Sequence, residues 1–256
     1  MIRIALIAAL GLFSYLGLLS QMAAAAECPG HPDALGTERV LAVDGAATPR
    51  VGRKSFSTTL PLGPKEVVLT FDDGPNPGTT ERVLDALKRE CVRATFFLIG
   101  KHAESDPELV RRTFADGHTI GNHSYSHPWL SQIMPARAQA EIDRGFAAIQ
   151  AALGPSHKMA KFFRFPGFTS TQALLDNLEK RQIPVFGADL WASDWNPMTP
   201  AETMNLTLRR LTASGGGILL LHDTQPHTAA MLPEFLRELK RRGFRIVHIV
   251  PAQVSH

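Results

Sequence analysis

The sequence predicts an α/β fold built on a parallel sheet, and three observations support it. Between Val67 and Ile249, short apolar runs with strand character alternate with helical patterns. Each pair of successive runs is separated by enough chain for a crossover helix, which parallel neighbours require. Polar clusters also follow several of the runs directly, and the C-terminal ends of parallel strands are where such folds gather their sites.

The chain has 256 residues, of which 44% are hydrophobic and 20% charged, so a substantial core is available. Arg3, the apolar run Ile4–Leu19 and the small residues Ala23–Ala26 form the pattern of a secretory signal peptide over residues 1–26. An uncleaved anchor is the alternative, because the apolar run approaches spanning length. Glu27 before Cys28 is not the small residue that a lipoprotein signal has there. Once the signal is cleaved, no other stretch is apolar enough to cross a membrane. Export permits a disulfide, and the two cysteines, Cys28 and Cys91, allow one intramolecular pairing. Residues 27–64 are polar and turn-rich, with weak strand-like runs at Arg39–Val43 and Lys54–Leu60. They read as an extension packed on the main domain, residues 65–256.

In that domain Val67–Phe71 is a continuous apolar run, the pattern of a buried strand. A helix follows over Glu81–Glu90 with Val83, Leu84 and Leu87 on one face. Ala94–Ile99 reads as a strand, Pro107–Ala115 as a helix and His118–Gly121 as a short strand. The long helix Pro135–Leu153 opens on a proline, which suits a first turn. Phe162–Phe165, Pro184–Gly187, Ile218–His222 and Arg245–Ile249 read as strands, and Thr171–Arg181, Ala201–Ala213 and Thr228–Arg242 as helices.

Net charge is +3 and the basic residues are scattered. The cluster Lys240–Arg242 lies on a helix and reads as a solvated face, so no nucleic-acid partner is expected. Gly215–Gly217 lacks a following Lys-Ser/Thr and is a turn, not a phosphate loop. No serine sits in a nucleophile elbow.

The polar clusters carry the chemistry. Asp72 and Asp73 end the first buried strand, where adjacent like charges raise each other's pKa unless a cation intervenes. Their plain alternative is a polar loop before a turn. His123 and His127 are four residues apart, and on a helix they would share one face and one metal. With Asp73 they make a two-histidine, one-carboxylate set, found in catalytic zinc sites and, in a similar form, around non-haem iron. Arg164 places a cation after the fourth strand, and His222 ends the strand Ile218–His222. The other seven histidines (31, 102, 118, 157, 227, 248 and 256) receive no role.

These residues together resemble the polysaccharide deacetylases of carbohydrate esterase family four, which share the NodB homology domain. The resemblance spans about Val67 to Pro251. Thr70–Pro75 is similar to the family's first motif and Gly117–His127 to its second, both highly specific. Arg164–Gly167, Asp194-Trp195 and Leu219–His222 resemble the third, fourth and fifth. The resemblance implies a distorted (β/α)7 TIM-like barrel and metal-dependent removal of N-acetyl groups from an N-acetylated polysaccharide or oligosaccharide. It implies that Asp73, His123 and His127 hold a divalent metal, usually zinc. Asp72 becomes the general base, Arg164 orients it and holds it ionised, and His222 becomes the general acid. The Gly167 N–H meets the oxyanion, and Trp195 and Leu220 wall the acetyl pocket. Two positions depart from the family pattern. Gly167 stands where an aromatic residue is usual. Trp191 stands where an aspartate is expected to orient the acid histidine, leaving Asp194 or Asp189 to replace it. Two other readings stay open: an O-acetyl esterase on the same metal site, and a non-catalytic carbohydrate-binding protein of the same fold.

Overall fold

A computed structural model describes residues 28 and 30–252. The expected signal peptide, residues 1–26, lies outside the described residues. In chain order the strands are β1 (Arg39–Val43), β2 (Arg50–Val51), β3 (Glu66–Asp72), β4 (Thr95–Leu98), β5 (Thr119–Asn122), β6 (Val185–Phe186), β7 (Leu190–Trp191), β8 (Gly217–His222) and β9 (Arg245–Pro251). The helices are α1 (Thr80–Arg89), α2 (Gly100–Ser105), α3 (Pro107–Ala115), α4 (Pro135–Leu153), α5 (Gln172–Lys180), α6 (Pro200–Ser214) and α7 (Pro226–Arg241). Short 3₁₀ turns occupy Leu130–Gln132 and Pro166–Phe168. Among the described residues no helix is long and apolar enough to cross a membrane.

The fold is the expected α/β type, and the pairings between these strands are parallel. All seven residues of β3 are buried, as its apolar run requires. One edge of β3 pairs with β8 from Val67 to Asp72. Its other edge is shared, with β9 at Glu66 and Val67 and β4 from Thr70 to Asp72. From β4 the pairing passes to β5, then through the single bridging residue Phe163 to β6. Residues Gly187–Asp189 link β6 to β7, which pairs back onto β8.

The strand period of two divides the core into two faces. Val67, Leu69 and Phe71 join Val83, Leu84 and Leu87 of α1 and Leu232, Phe235 and Leu236 of α7 in an outer layer. Val68 instead meets Phe97, Phe162, Phe186, Ile218 and Val247 in the interior. By alternation Asp72 shares the inner face with Val68, at the C-terminal end of the strand.

Helix starts follow local chemistry. Asp106 and Thr171 accept the Leu109 and Leu174 N–H groups, and Thr199 with Glu202 forms a capping box ahead of Pro200. Lys54–Leu60 is not the strand its alternation predicts. Ser55 and Phe56 donate back to the Gly52 carbonyl and Gly52 donates to Thr58, so the segment closes into a turn. The extension reaches the sheets instead through β1, alongside β9, and β2, alongside β6. The expected strand at Phe162–Phe165 reduces to the bridge at Phe163.

Two ties hold the extension. Cys28 and Cys91 form a disulfide, with Cα atoms 5.7 Å apart and a sequence separation of 63. Closing a loop of that length stabilises the fold by about 4 kcal/mol in the chain-entropy model. A Cys28→Ser, Cys91→Ser double variant should therefore lose that amount in urea denaturation, and an unchanged midpoint would contradict it. At the base of β3, buried Glu66 accepts from Arg39 Nε at 2.8 Å, Arg39 Nη2 at 2.6 Å and Gly63 N–H at 2.7 Å. The Arg39 hydrogen bonds, opposed by burial, bring its carboxyl from 4.5 down to about 2. A depressed folded pKa contributes stability that is present above the unfolded value and lost as pH falls through the folded one. Wild-type protein should therefore lose about 2 kcal/mol between about pH 4.5 and 2 from this tie, discounted for the partly exposed Arg39. Acid titration of the folding free energy should show Glu66→Gln without that component.

Candidate active site

Parallel register sets the first feature. Pairing of β3 with β8 puts Asp72 opposite His222, so a carboxylate and an imidazole arrive together at the strand ends. Asp72 is 2% exposed and Arg164 is fully buried. Arg164 Nη1 donates to Asp72 Oδ1 and to Thr70 Oγ1, both at 2.8 Å. Its Nη2 and Nε donate to the carbonyls of Gly187 at 2.9 Å and Phe186 at 3.2 Å. The guanidinium also lies 4.3 Å from the centre of the Phe97 ring. A planar five-donor head is what satisfies four acceptors here. Sequence reasoning expected Arg164 to hold the Asp72 pKa low. Instead burial pushes the Asp72 carboxyl up, outweighing the Arg164 charge.

Asp73 turns away from Asp72 because its φ is 77°. Its carbonyl accepts from His102 Nδ1 at 2.8 Å. His102, to which the sequence assigned no role, thus fixes the turn. Its placement in α2, directly after β4, was the available signal.

His123 and His127 do not share a helix face. The segment is irregular, and left-handed backbone at Ser124 (φ 68°) and His127 (φ 62°) swings the two rings together. Such conformations at non-glycine residues cost of order 1–3 kcal/mol each and cluster where a site needs them. Asp73 Oδ1 lies 3.5 Å from His123 Nε2 and 3.3 Å from His127 Nε2. Among the described residues, Asp73, His123 and His127 form the group able to hold a metal ion. The chemistry of the three atoms fits a cation. His123 Nδ1 donates to the Arg164 carbonyl at 2.8 Å, and burial takes its pKa down to about 3. Its Nε2 is therefore a bare lone pair facing Asp73 Oδ1, a buried atom with no hydrogen-bond partner. Two acceptors facing each other are reconciled by a positive charge between them.

On the other side, His222 Nδ1 donates to Asp194 Oδ1 and its backbone N–H to Asp194 Oδ2, each at 2.8 Å. Thr228 Oγ1 also donates to Asp194 Oδ2, at 2.7 Å. Burial disfavours the His222 cation, but the Asp194 hydrogen bond and the charges of Asp194, Asp72 and Asp73 outweigh it and raise its pKa to about 9. His222 Nε2, 3.9 Å from Asp73 Oδ2, faces the same mouth. Asp189, the alternative partner, is not there. Its carboxylate accepts from the N–H groups of Arg53 and Ile218 and from Thr59 Oγ1, at the opposite end of β8. Parallel pairing explains this: Leu190 lies beside Leu219, so residues before β7 fall at the base and those after it at the mouth.

Leu220 is buried one strand period before His222, and half-exposed Trp195 meets the His222 ring edge-on at 5.8 Å. Gly167 sits in the turn Pro166–Phe168 with φ 57°. An open pocket of about 520 Å³ adjoins the triad, lined by Asp73, Asn76, His102, His127 and Gln225 among others.

A buried carboxylate–arginine pair, a carboxylate–bis-imidazole triad and a histidine held by a buried carboxylate at the ends of parallel strands make a hydrolase's arrangement. Related proteins say which one. The family model described as polysaccharide deacetylase matches residues 60–186. A chitooligosaccharide deacetylase of Bradyrhizobium sp. is 34% identical over 203 residues, covering 74% of this chain and 90% of that protein. A peptidoglycan-N-acetylglucosamine deacetylase of Listeria monocytogenes is 32% identical over 72% of this chain, which spans 38% of the longer relative. Among solved structures, a peptidoglycan deacetylase of Bdellovibrio bacteriovorus superposes with a TM-score of 0.75 at 32% identity, over 84% of this chain and 59% of that one. The chain belongs to the polysaccharide deacetylase family, the NodB-type domains of carbohydrate esterase family four. It is a hydrolase of carbon–nitrogen bonds other than peptide bonds.

Arg164→Lys should be destabilised by about 3 kcal/mol, because one ammonium cannot satisfy these four buried acceptors. Chemical denaturation measures it, and a loss below about 0.5 kcal/mol, the range of an ordinary surface substitution, would contradict the assigned network.

Proposed function

We propose that this protein is an exported, metal-dependent deacetylase that hydrolyses N-acetyl groups of an N-acetylhexosamine polysaccharide. The observation that carries the reading is the unpartnered Asp73 Oδ1 facing two imidazole nitrogens, with Asp72 and His222 close by. Chitooligosaccharide and peptidoglycan deacetylases among the relatives support the substrate class. The signal pattern of residues 1–26 supports export, as does a disulfide, which persists in oxidising compartments.

Asp73, His123 and His127 hold the cation, with zinc the first choice for this donor set. When bound, it supplies Lewis acidity toward the acetyl carbonyl and toward a water molecule. Asp72 takes the proton from the water that attacks the acetyl carbon. Burial keeps its carboxylate basic, while Arg164 fixes its direction and leaves Oδ2 free. His222, protonated at neutral pH, gives the proton at Nε2 to the departing sugar amine. Asp194 holds the ring by Nδ1 and keeps the charge on it, with Thr228 holding Asp194. The Gly167 N–H meets the oxygen on which charge develops. Trp195 and Leu220 wall the acetyl methyl.

Asp72→Asn should lower acetate release at least about 100-fold, the scale of a lost general base, while bound zinc stays at one per chain. His123→Ala should lose both zinc and activity. Near-normal turnover in the first variant, or stoichiometric zinc in the second, would contradict the roles.

A further inference from the structure

Trp129 is 53% exposed and Trp195 is 49% exposed, in a protein whose other large aromatic side chains are mostly buried. Trp129 stands two residues after His127, next to a buried anchor. Leu130 beside it is 1% exposed and packs in a cluster with Phe163 and Phe165. The indole lies against the turn at Gly167. A Cβ on that glycine would come within 3.1 Å of Trp129 Nε1, and the φ of 57° disfavours any side chain there. The turn is therefore shaped to receive the indole. Among the described residues the indole N–H finds no acceptor and the ring no aromatic partner.

From this point a line of rings continues along the mouth. Phe168, next to Gly167, stacks on Trp191 at 6.0 Å with an interplanar angle of 26°. Trp191 meets Trp195 edge-on at 6.0 Å, and Trp195 meets His222 at 5.8 Å. The catalytic groups thus lie beside a rim that runs from Trp129 past Gly167, Phe168 and Trp191 to Trp195. Flat aromatic faces with one free N–H suit pyranose rings, which offer C–H bonds on their faces and hydroxyls at their edges.

We propose that Trp129 is a specificity-determining residue that stacks on a sugar other than the one being deacetylated. The rim then makes the enzyme prefer a chain of β-linked N-acetylhexosamines over a short fragment. The inference rests on the deacetylase reading and names the part of the polymer that the reading leaves open.

The test compares kcat/KM for acetate release from the pentamer and the dimer of N-acetylglucosamine, with zinc-loaded mature protein. In Trp129→Ala the pentamer-to-dimer ratio should fall about tenfold, the scale of one lost aromatic contact, and through KM more than kcat. Trp129→Phe should restore part of it. An unchanged ratio, or equal losses on both substrates, would overturn the proposal. Zinc content and the unfolding midpoint of each variant identify general damage, which would lower both substrates together. If the wild type releases no acetate from either sugar, N-acetylglucosamine oligomers are not its substrate and the deacetylase reading passes to peptidoglycan. Pentamer binding by calorimetry then decides this inference separately: about tenfold weaker binding to Trp129→Ala supports it, and equal binding overturns it.

Discussion

Two carboxylates on consecutive residues at the end of a fully buried strand repel each other unless each is turned to a different partner. Asp72 meets Arg164, which is itself buried and needs that negative charge. Asp73 cannot use the same partner, and its left-handed backbone turns it toward His123 and His127, with which it would hold a metal ion. The rest of the site follows from keeping these two charges apart. Thr70 and the Phe186 and Gly187 carbonyls occupy three of the other guanidinium donors, and His102 pins the Asp73 carbonyl.

Parallel pairing brings the acid side to the same place. Because Asp72 and His222 are register partners, the proposed proton acceptor and proton donor reach the mouth without any long loop. Asp223, the residue after His222, has a different part. Its carboxylate packs so closely that a Cβ on Gly74 would lie 2.2 Å from Asp223 Oδ2, so only glycine fits after Asp73. Thr80 at the start of α1 donates to the same carboxylate, and burial pushes its pKa up to about 7. The turn that aims Asp73 is therefore held from β8 and α1 as well as from α2.

Much of this was legible in the sequence for physical reasons. Apolar runs such as Val67–Phe71 have one solution, a buried strand, and prolines at 107 and 135 mark helix starts that the structure keeps. Parallel topology alone placed Asp72, His123, Arg164 and His222 at one end. What local pattern misled was the Lys54–Leu60 alternation, where backbone bonds to Gly52 override strand propensity. The four-residue spacing of His123 and His127 suggested a helix, yet left-handed residues do the aiming, and no sequence period encodes those. Choosing between Asp189 and Asp194 needed the β7–β8 register, a non-local fact. The net upward shift of Asp72 needed its burial. Trp129 gave no signal, because its meaning depends on Gly167, 38 positions away in the chain.

The central claim is that the charge arrangement at Asp72 and Asp73 serves metal-dependent hydrolysis of an N-acetyl group. The most direct measurement is acetate release by residues 27–256, the chain without the proposed signal. It would be incubated with N-acetylglucosamine oligomers, peptidoglycan and an O-acetylated xylan, with zinc and with chelator. The account predicts acetate from an N-acetylated glycan that stops on chelation and returns with zinc. Acetate from the xylan alone, or release from the glycan that chelator leaves untouched, would contradict it.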